Sequence, residues 1–167
     1  YLNLTEKYKD YTTIAANVIS RDISNYSKTI VINIGTKSGI KENMTVIASD
    51  GLVGYVISAT DTTSKVQTII DSSSNTSSIL SSARDSIVCK GQLENNNILK
   101  GVYIPTDATI AQGDTVETSG LGGIYPKGIY IGKVSKVVNT SNLNDRYALI
   151  ETAVNFNKLE TVLVITN

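Results

Sequence analysis

Thr45-Val46-Ile47-Ala48-Ser49-Asp50-Gly51-Leu52-Val53-Gly54-Tyr55-Val56 is an apolar run, a polar corner ending in glycine, and a second apolar run interrupted by one glycine. β-Branched residues on both sides of such a corner mark two antiparallel strands joined by a tight turn. The pattern returns downstream as Thr115-Val116, then Ser119, Gly120-Leu121, and finally Gly132 and Val134. The second copy carries an insertion, Gly122-Gly123-Ile124-Tyr125-Pro126-Lys127-Gly128. The shared order of strand, glycine turn and strand predicts an internal repeat, and with it two small β-barrels of related design. Gly54 and Gly132 fall at equivalent corners, where glycine supplies positive φ or close backbone approach. Gly113, Asp114, Gly120 and Gly128 read as turn residues of the second copy.

Alternation of apolar and polar residues continues on either side. In the segment 29–34, Ile30, Ile32 and Ile34 share one face, and Gly35 and Gly39 end it. Strands are predicted at 16–21, 29–34, 45–48, 52–59, 66–70, 87–93, 101–104, 115–118, 129–138, 147–154 and 162–165. No amphipathic stretch of helical length separates them, which excludes a parallel sheet with crossover helices and leaves an all-β fold. The run Asp71-Ser-Ser-Ser-Asn-Thr-Ser-Ser-Ile-Leu-Ser-Ser-Ala-Arg84 is rich in small polar residues and reads as a linker between the two sets of strands. At the start, Tyr1, Leu4, Tyr8, Tyr11 and Ala15 recur at steps of three and four with charged residues between them. This stripe predicts a short helix, the stub of a longer one upstream, with Tyr1, Leu4, Tyr8 and Tyr11 as coiled-coil candidates. The organisation so read is a helix over 1–15, a first six-stranded-type barrel over 16–72 and a second over 73–167, the C-terminal strands being able to return to the first.

Composition narrows the chemistry. The 167 residues include no His and one Cys, and 15 Lys plus Arg balance 15 Asp plus Glu. The first fact removes the commonest general base, the commonest metal ligand and every Ser-His-Asp arrangement. The single Cys89 forbids an internal disulfide and a thiolate zinc cluster, and on its apolar strand it reads as core. Zero formal net charge gives no general attraction to nucleic acid or an anionic membrane. No stretch approaches the length of a membrane-spanning helix. Gly120-Leu121-Gly122-Gly123 lacks the Lys-Ser/Thr of a phosphate loop, and Asp71, Asp85, Asp107 and Asp114 are spread among turns without calcium-loop spacing. A Ser-Lys pair stays open, because its partners would be set by the fold. No cofactor or metal site is expected. Nine tyrosines stand against one Phe and no Trp. Tyr103, Tyr125 and Tyr130, with Ile124 of the insertion, are candidate partner anchors, since Tyr offers a large contact area and a polar tip at low entropic cost.

A longer ordered pattern runs from Ala15 onward. Val18-Ile19-x-Arg21-Asp22, Tyr26, Thr29-Ile30, Asn33-x-Gly35, Gly39-Ile40, Met44-x-Val46 and Gly51-Leu52-Val53-Gly54-x-Val56 are followed by Arg84, Gly91 and Gly113-Asp114-x-Val116. After these come Thr118-Ser119-Gly120-Leu121-Gly122-Gly123, Pro126-x-Gly128-Ile129, Ile131-Gly132-x-Val134 and Leu159-x-x-Val162. In this order the chain resembles the extracytoplasmic region of the rod shape-determining MreC family. One departure is Val154, where similar proteins often carry Pro. The resemblance implies paired barrels beyond a coiled coil and a membrane helix, on the extracytoplasmic face of the bacterial cytoplasmic membrane. It also implies a non-catalytic scaffold of the lateral cell-wall elongation machinery that maintains rod shape. The partners it implies are a class B penicillin-binding transpeptidase, MreD, RodA and, indirectly, MreB, with self-association through the coiled coil. Two rival readings are a module binding cell-wall glycan on a tyrosine-lined groove and a diverged double-barrel hydrolase using a Ser-Lys pair.

Overall fold

A computed structural model describes residues 8–24 and 27–167. Within them lie twelve strands and two single 3-10 turns, Thr36–Ser38 and Leu143–Asp145. The strands are Thr13–Ile23 (β1), Lys28–Ile32 (β2), Thr45–Ala48 (β3), Gly51–Ala59 (β4), Ser64–Thr68 (β5) and Asn75–Leu80 (β6), followed by Ser86–Lys90 (β7), Ile98–Val102 (β8), Thr115–Thr118 (β9), Tyr130–Val138 (β10), Tyr147–Thr152 (β11) and Thr161–Ile165 (β12). They close into two six-stranded antiparallel barrels, β1-β12-β3-β4-β5-β2 and β10-β11-β8-β7-β6-β9. The last strand does return to the first barrel. Aliphatic alternation forms each core. Ile30, Ile32, Val46, Leu52, Val56, Val66, Val162 and Val164 are buried in barrel 1, and Leu80, Ile87, Cys89, Leu99, Val116, Val134 and Ile150 in barrel 2.

The repeat is structural. Val46 pairs with Gly54 across β3 and β4, and Val116 pairs with Gly132 across β9 and β10. Gly54 then faces Thr68 of β5, as Gly132 faces Thr152 of β11. Both glycines have ordinary φ, so the need for them is close approach rather than a left-handed backbone. A Cβ on Gly54 would stand 1.9 Å from the Gln67 carbonyl oxygen, and one on Gly132 would stand 2.0 Å from that of Glu151. The turns entering β3 and β9 match as well. The N–H of Asn43 (φ 72°) donates to the Val56 carbonyl, and that of Gly113 (φ 95°) donates to the Val134 carbonyl. Asp114 acts there as a turn former, its carboxylate accepting the Ala111 N–H at 2.9 Å.

Two expectations are corrected. The Ser/Thr-rich segment is not a linker, because it contains β6. Thr76, Ser78 and Leu80 are buried on one face of that strand, and small residues suit the narrow interior of a six-stranded barrel. The Ser78 hydroxyl is satisfied by the Thr76 carbonyl at 2.8 Å. The helical stripe does not continue to Ala15, since residues 8–10 form a turn and β1 begins at Thr13. The buried Tyr8 belongs to the core and Tyr11 packs against it, their rings 6.2 Å apart, so both rings lie on the barrels. Burial, then the neighbouring Tyr11, raises the Tyr8 phenol above its ordinary value. Tyr1 and Leu4 lie outside the described residues, as does Tyr26 of the family-like pattern.

The barrels meet along a tight seam. Lys28 of β2 is 1% exposed and reaches into the 92–96 loop of barrel 2, its ammonium donating to the Asn96 side-chain oxygen at 2.7 Å and to the Gln92 carbonyl at 3.0 Å. The Lys28 N–H donates to the Asp71 carboxylate at 2.8 Å. Gly91 lies so close that a Cβ there would sit 2.0 Å from the Asp71 carbonyl oxygen. Further along the seam, Tyr125 of the insertion meets Tyr55 of β4 edge to face at 6.1 Å.

Candidate partner-binding surface

The described residues contain no group of three or more Cys, Asp or Glu side chains able to hold a metal ion. Cys89 is fully buried on β7, and burial pushes its thiol up to about 12 against the smaller opposing effect of a hydrogen bond with Ser78. A thiol so shifted is not a nucleophile at neutral pH. Among the described lysines Lys28 has the most altered environment, its ammonium lowered from the ordinary value by burial. That ammonium is engaged by carbonyl and amide oxygens of the 92–96 loop, with no Ser hydroxyl among those acceptors.

The surface offers apolar side chains instead. Tyr103 is 71% exposed and Leu121 is 68% exposed, more than any other large apolar residue described. Tyr103 follows β8 with φ 55°, a left-handed conformation that costs a bulky residue on the order of 1 kcal/mol. Lys90 of β7 sits over its ring, 5.2 Å from the centroid. Leu121 stands on a turn built from Gly120, Gly122 and Gly123, all with positive φ, and its N–H donates to the Ser119 hydroxyl. Tyr103 and Leu121 line one groove of about 190 Å³ together with Ile87 and Val88 of β7 and the serines Ser77 and Ser119. It is an apolar slot about the size of one large side chain, with polar edges.

The other predicted anchors lie elsewhere. Tyr125 points into the seam, where its hydroxyl is buried without a hydrogen-bond partner and burial, then Tyr55, raises its phenol far above the ordinary value. Tyr130 is half-buried on β10, its carbonyl against Gly51, and burial raises its phenol too. Ile124 is 38% exposed beside the seam, and its carbonyl accepts the Thr45 hydroxyl at 3.3 Å. The tyrosines therefore do not converge on one groove. The exposure of Leu121 is not legible as such in the sequence because it comes from the turn that displays it, although three surrounding glycines signal such a turn.

A matched test separates the insertion's two apolar residues. Tyr125→Ala is expected to cost about 3 kcal/mol by emptying the seam, whereas Ile124→Ser costs less than about 1 kcal/mol. Tyr125→Phe deletes only the unpartnered hydroxyl and is expected to leave stability unchanged or slightly raised. Urea unfolding of the three variants checks the ordering, and an equal loss in Tyr125→Ala and Ile124→Ser would contradict the placement.

The fold and surface define a double six-stranded β-barrel with an exposed apolar groove. The chain matches the family described as "Rod shape-determining protein MreC, barrel core" over residues 18–166. The cell shape-determining protein MreC of Listeria monocytogenes is 31% identical over 155 residues, covering 91% of this chain and 51% of that protein. The crystal structure of MreC from Pseudomonas aeruginosa aligns with a TM-score of 0.88 at 22% identity, over 92% of this chain and 99% of that one. A complex between Penicillin-Binding Protein (PBP2) and MreC from Helicobacter pylori aligns at 0.67 and 17% identity, over 93% of this chain and 100% of that one. The chain belongs to the MreC family of cell shape-determining proteins, and it spans about half the length of the curated relative from Listeria. No helix among the described residues is long and apolar enough to cross a membrane.

Proposed function

We propose that the chain is the paired-barrel part of a non-catalytic scaffold that binds a class B penicillin-binding transpeptidase on the extracytoplasmic face of the bacterial cytoplasmic membrane. The scaffold organises lateral cell-wall elongation. The observation that carries this reading is the groove where Tyr103 and Leu121, the two most exposed large apolar side chains described, stand together. An apolar slot flanked by aromatic and aliphatic anchors is suited to receive one buried side chain of a protein partner. The solved Helicobacter pylori assembly supports the partner class, being a complex of a relative of the same fold with a penicillin-binding protein. The buried, high-pKa Cys89 and the engaged Lys28 support the absence of catalysis. Contacts with MreD and RodA, an indirect link to MreB and self-association through an upstream coiled coil complete the reading that family membership suggests. The dispersal of Tyr103, Tyr125 and Tyr130 counts against a tyrosine-lined glycan groove.

The test is binding of the full-length protein to its own transpeptidase. Tyr103→Ala and Leu121→Ser are each expected to weaken association by about 1 to 2 kcal/mol while the melting temperature stays within a few degrees, because neither side chain is buried. Unchanged affinity in the double variant would move the contact surface elsewhere. Turnover of peptide, ester or cell-wall fragments that disappears on replacing one Ser or Lys would overturn the non-catalytic reading.

A further inference from the structure

The two barrels fill one equivalent place with strands that lie on opposite sides, in sequence, of the five strands they join. In pairing order β1 to β5 of barrel 1 match β7 to β11 of barrel 2, and in each set a lane remains between the first and third strands. In barrel 2 the lane holds β6, which pairs with β7 and β9 and comes before the other five strands in sequence. In barrel 1 it holds β12, which pairs with β1 and β3 and arrives only after all of barrel 2. The same lane accepts a strand that precedes its set or one that follows it, so chain connection does not determine the occupant. Register and side-chain fit do.

The lane of barrel 1 has the parts of a binding site. Its occupant buries four consecutive apolar residues, Val162, Leu163, Val164 and Ile165, each at most 4% exposed. Both ends are clamped outside the ladder. At one end the Val18 N–H donates to the Glu160 carbonyl at 2.8 Å, and the Arg21 guanidinium donates to the Leu159 carbonyl. At the other, Thr166 donates its N–H to the Thr12 carbonyl at 2.8 Å, and the Thr12 N–H donates to the Asn167 side-chain oxygen at 3.0 Å. β12 meets β3 at only two register positions, Leu163↔Ile47 and Val164↔Val46, and is tethered to barrel 2 by residues 153–160. We propose that the lane between β1 and β3 is a strand-binding site in its own right. Its ligand is an extended apolar segment followed by Thr and Asn, supplied here by the chain's own β12 and, in exchange, by the same strand of a second copy.

The experiment keeps the whole chain. A protease site placed between the exposed residues Asn157 and Lys158 is cut in the folded protein. The released segment 158–167 is expected to remain bound through gel filtration and to be replaced by an excess of a labelled peptide of the same sequence. A peptide carrying Val162→Asp and Val164→Asp should compete at least about a hundredfold more weakly, since it would bury two carboxylates. Barrel 2 amides should keep their hydrogen-exchange protection throughout. For the second copy, uncut Asn17→Cys and Thr161→Cys variants, altered at register partners, are mixed and annealed just below melting. A disulfide between the two introduced cysteines that forms after annealing, and not in the same mixture left unheated, reports β12 of one molecule in the lane of another. Loss of the cut segment from the protein, entry of the Asp peptide on equal terms, or retention without exchange even near melting would each overturn the binding site. Absence of the disulfide after annealing would overturn the second-copy occupant.

Discussion

Gly54→Ala and Gly132→Ala are each expected to destroy the barrel that holds them, at a cost above about 4 kcal/mol, although each adds a single methyl group. The reason is distance. The new Cβ would fall 1.9 Å from the Gln67 oxygen in one barrel and 2.0 Å from the Glu151 oxygen in the other. Those oxygens belong to the backbones of β5 and β11, so relief requires a whole strand to retreat from β4 or β10. Overpacking against a movable side chain usually costs less, about 1 to 3 kcal/mol. Gly113 supplies the contrast, with φ 95° but nothing within 4 Å of a built Cβ. Gly113→Ala is expected to cost only about 1 kcal/mol, the ordinary penalty of a left-handed backbone. Gly113→Asn is expected to cost less still, because Asn43 already occupies the equivalent turn at φ 72°. Urea unfolding followed by far-ultraviolet circular dichroism measures all four. Melting of Gly54→Ala or Gly132→Ala within a few degrees of the parent would mean the strands do not approach as described.

This pair of glycines also shows how much of the fold was readable beforehand. The Thr-Val and Gly-x-Val elements aligned the two barrels correctly, because places where strands approach too closely for a Cβ leave glycine in the sequence. The Gly-Leu element did not, since Leu52 is buried on β4 and Leu121 stands exposed on a turn before β10. The same cue could not separate a left-handed turn from a close approach, since glycine answers both needs. Strand β6 was hidden for the opposite reason. Thr76 and Ser78 are polar by type but small enough for a barrel interior, and the Ser78 hydroxyl is satisfied within its own strand by the Thr76 carbonyl. The N-terminal stripe misled because Tyr8, Tyr11 and Ala15 fit a period near 3.5 by coincidence, while the alternation of β1 begins between them at Thr13. The proposed contact groove is half visible in the sequence. Tyr103 was named among the anchors, but its display depends on a backbone angle after β8, and Leu121 reads as one more apolar letter in a turn. Lys28 looks like an ordinary surface lysine opening a strand, and only the packing of the second barrel over β2 buries it.

Lys28 and Asp71 carry the second large expectation, a loss of stability that depends on pH. Burial alone would raise the Asp71 carboxyl, but hydrogen bonds from the Ser73 hydroxyl at 2.6 Å, the Lys28 N–H at 2.8 Å and the Ser73 N–H at 2.9 Å, with the Lys28 charge, hold it below the ordinary carboxylate value. A carboxylate depressed in the folded state contributes fully above its unfolded pKa, about 3.9, and loses that contribution as pH falls through the folded value. Asp71→Asn is therefore expected to be less stable than the parent at pH 7, with the gap closing below about pH 4. Lys28→Ala should cost about 3 kcal/mol, because it strands the Gln92 and Asn96 oxygens and empties the space filled by the aliphatic stem. Lys28→Met restores the stem but not the donors, and is expected to recover about half of that loss. The Lys28 ammonium is lowered by burial, so its cost to the fold is present below its folded value and is relieved as pH rises through that value. The acid-limb difference between Asp71→Asn and the parent thus reports on Asp71 alone. Melting temperatures from pH 7 to pH 2.5 for the parent and the three variants decide the matter. A parent-minus-Asn gap that stays constant down to pH 2.5 would show that the Asp71 charge does not hold the seam, and full recovery in Lys28→Met would show that the ammonium bridge to barrel 2 contributes nothing.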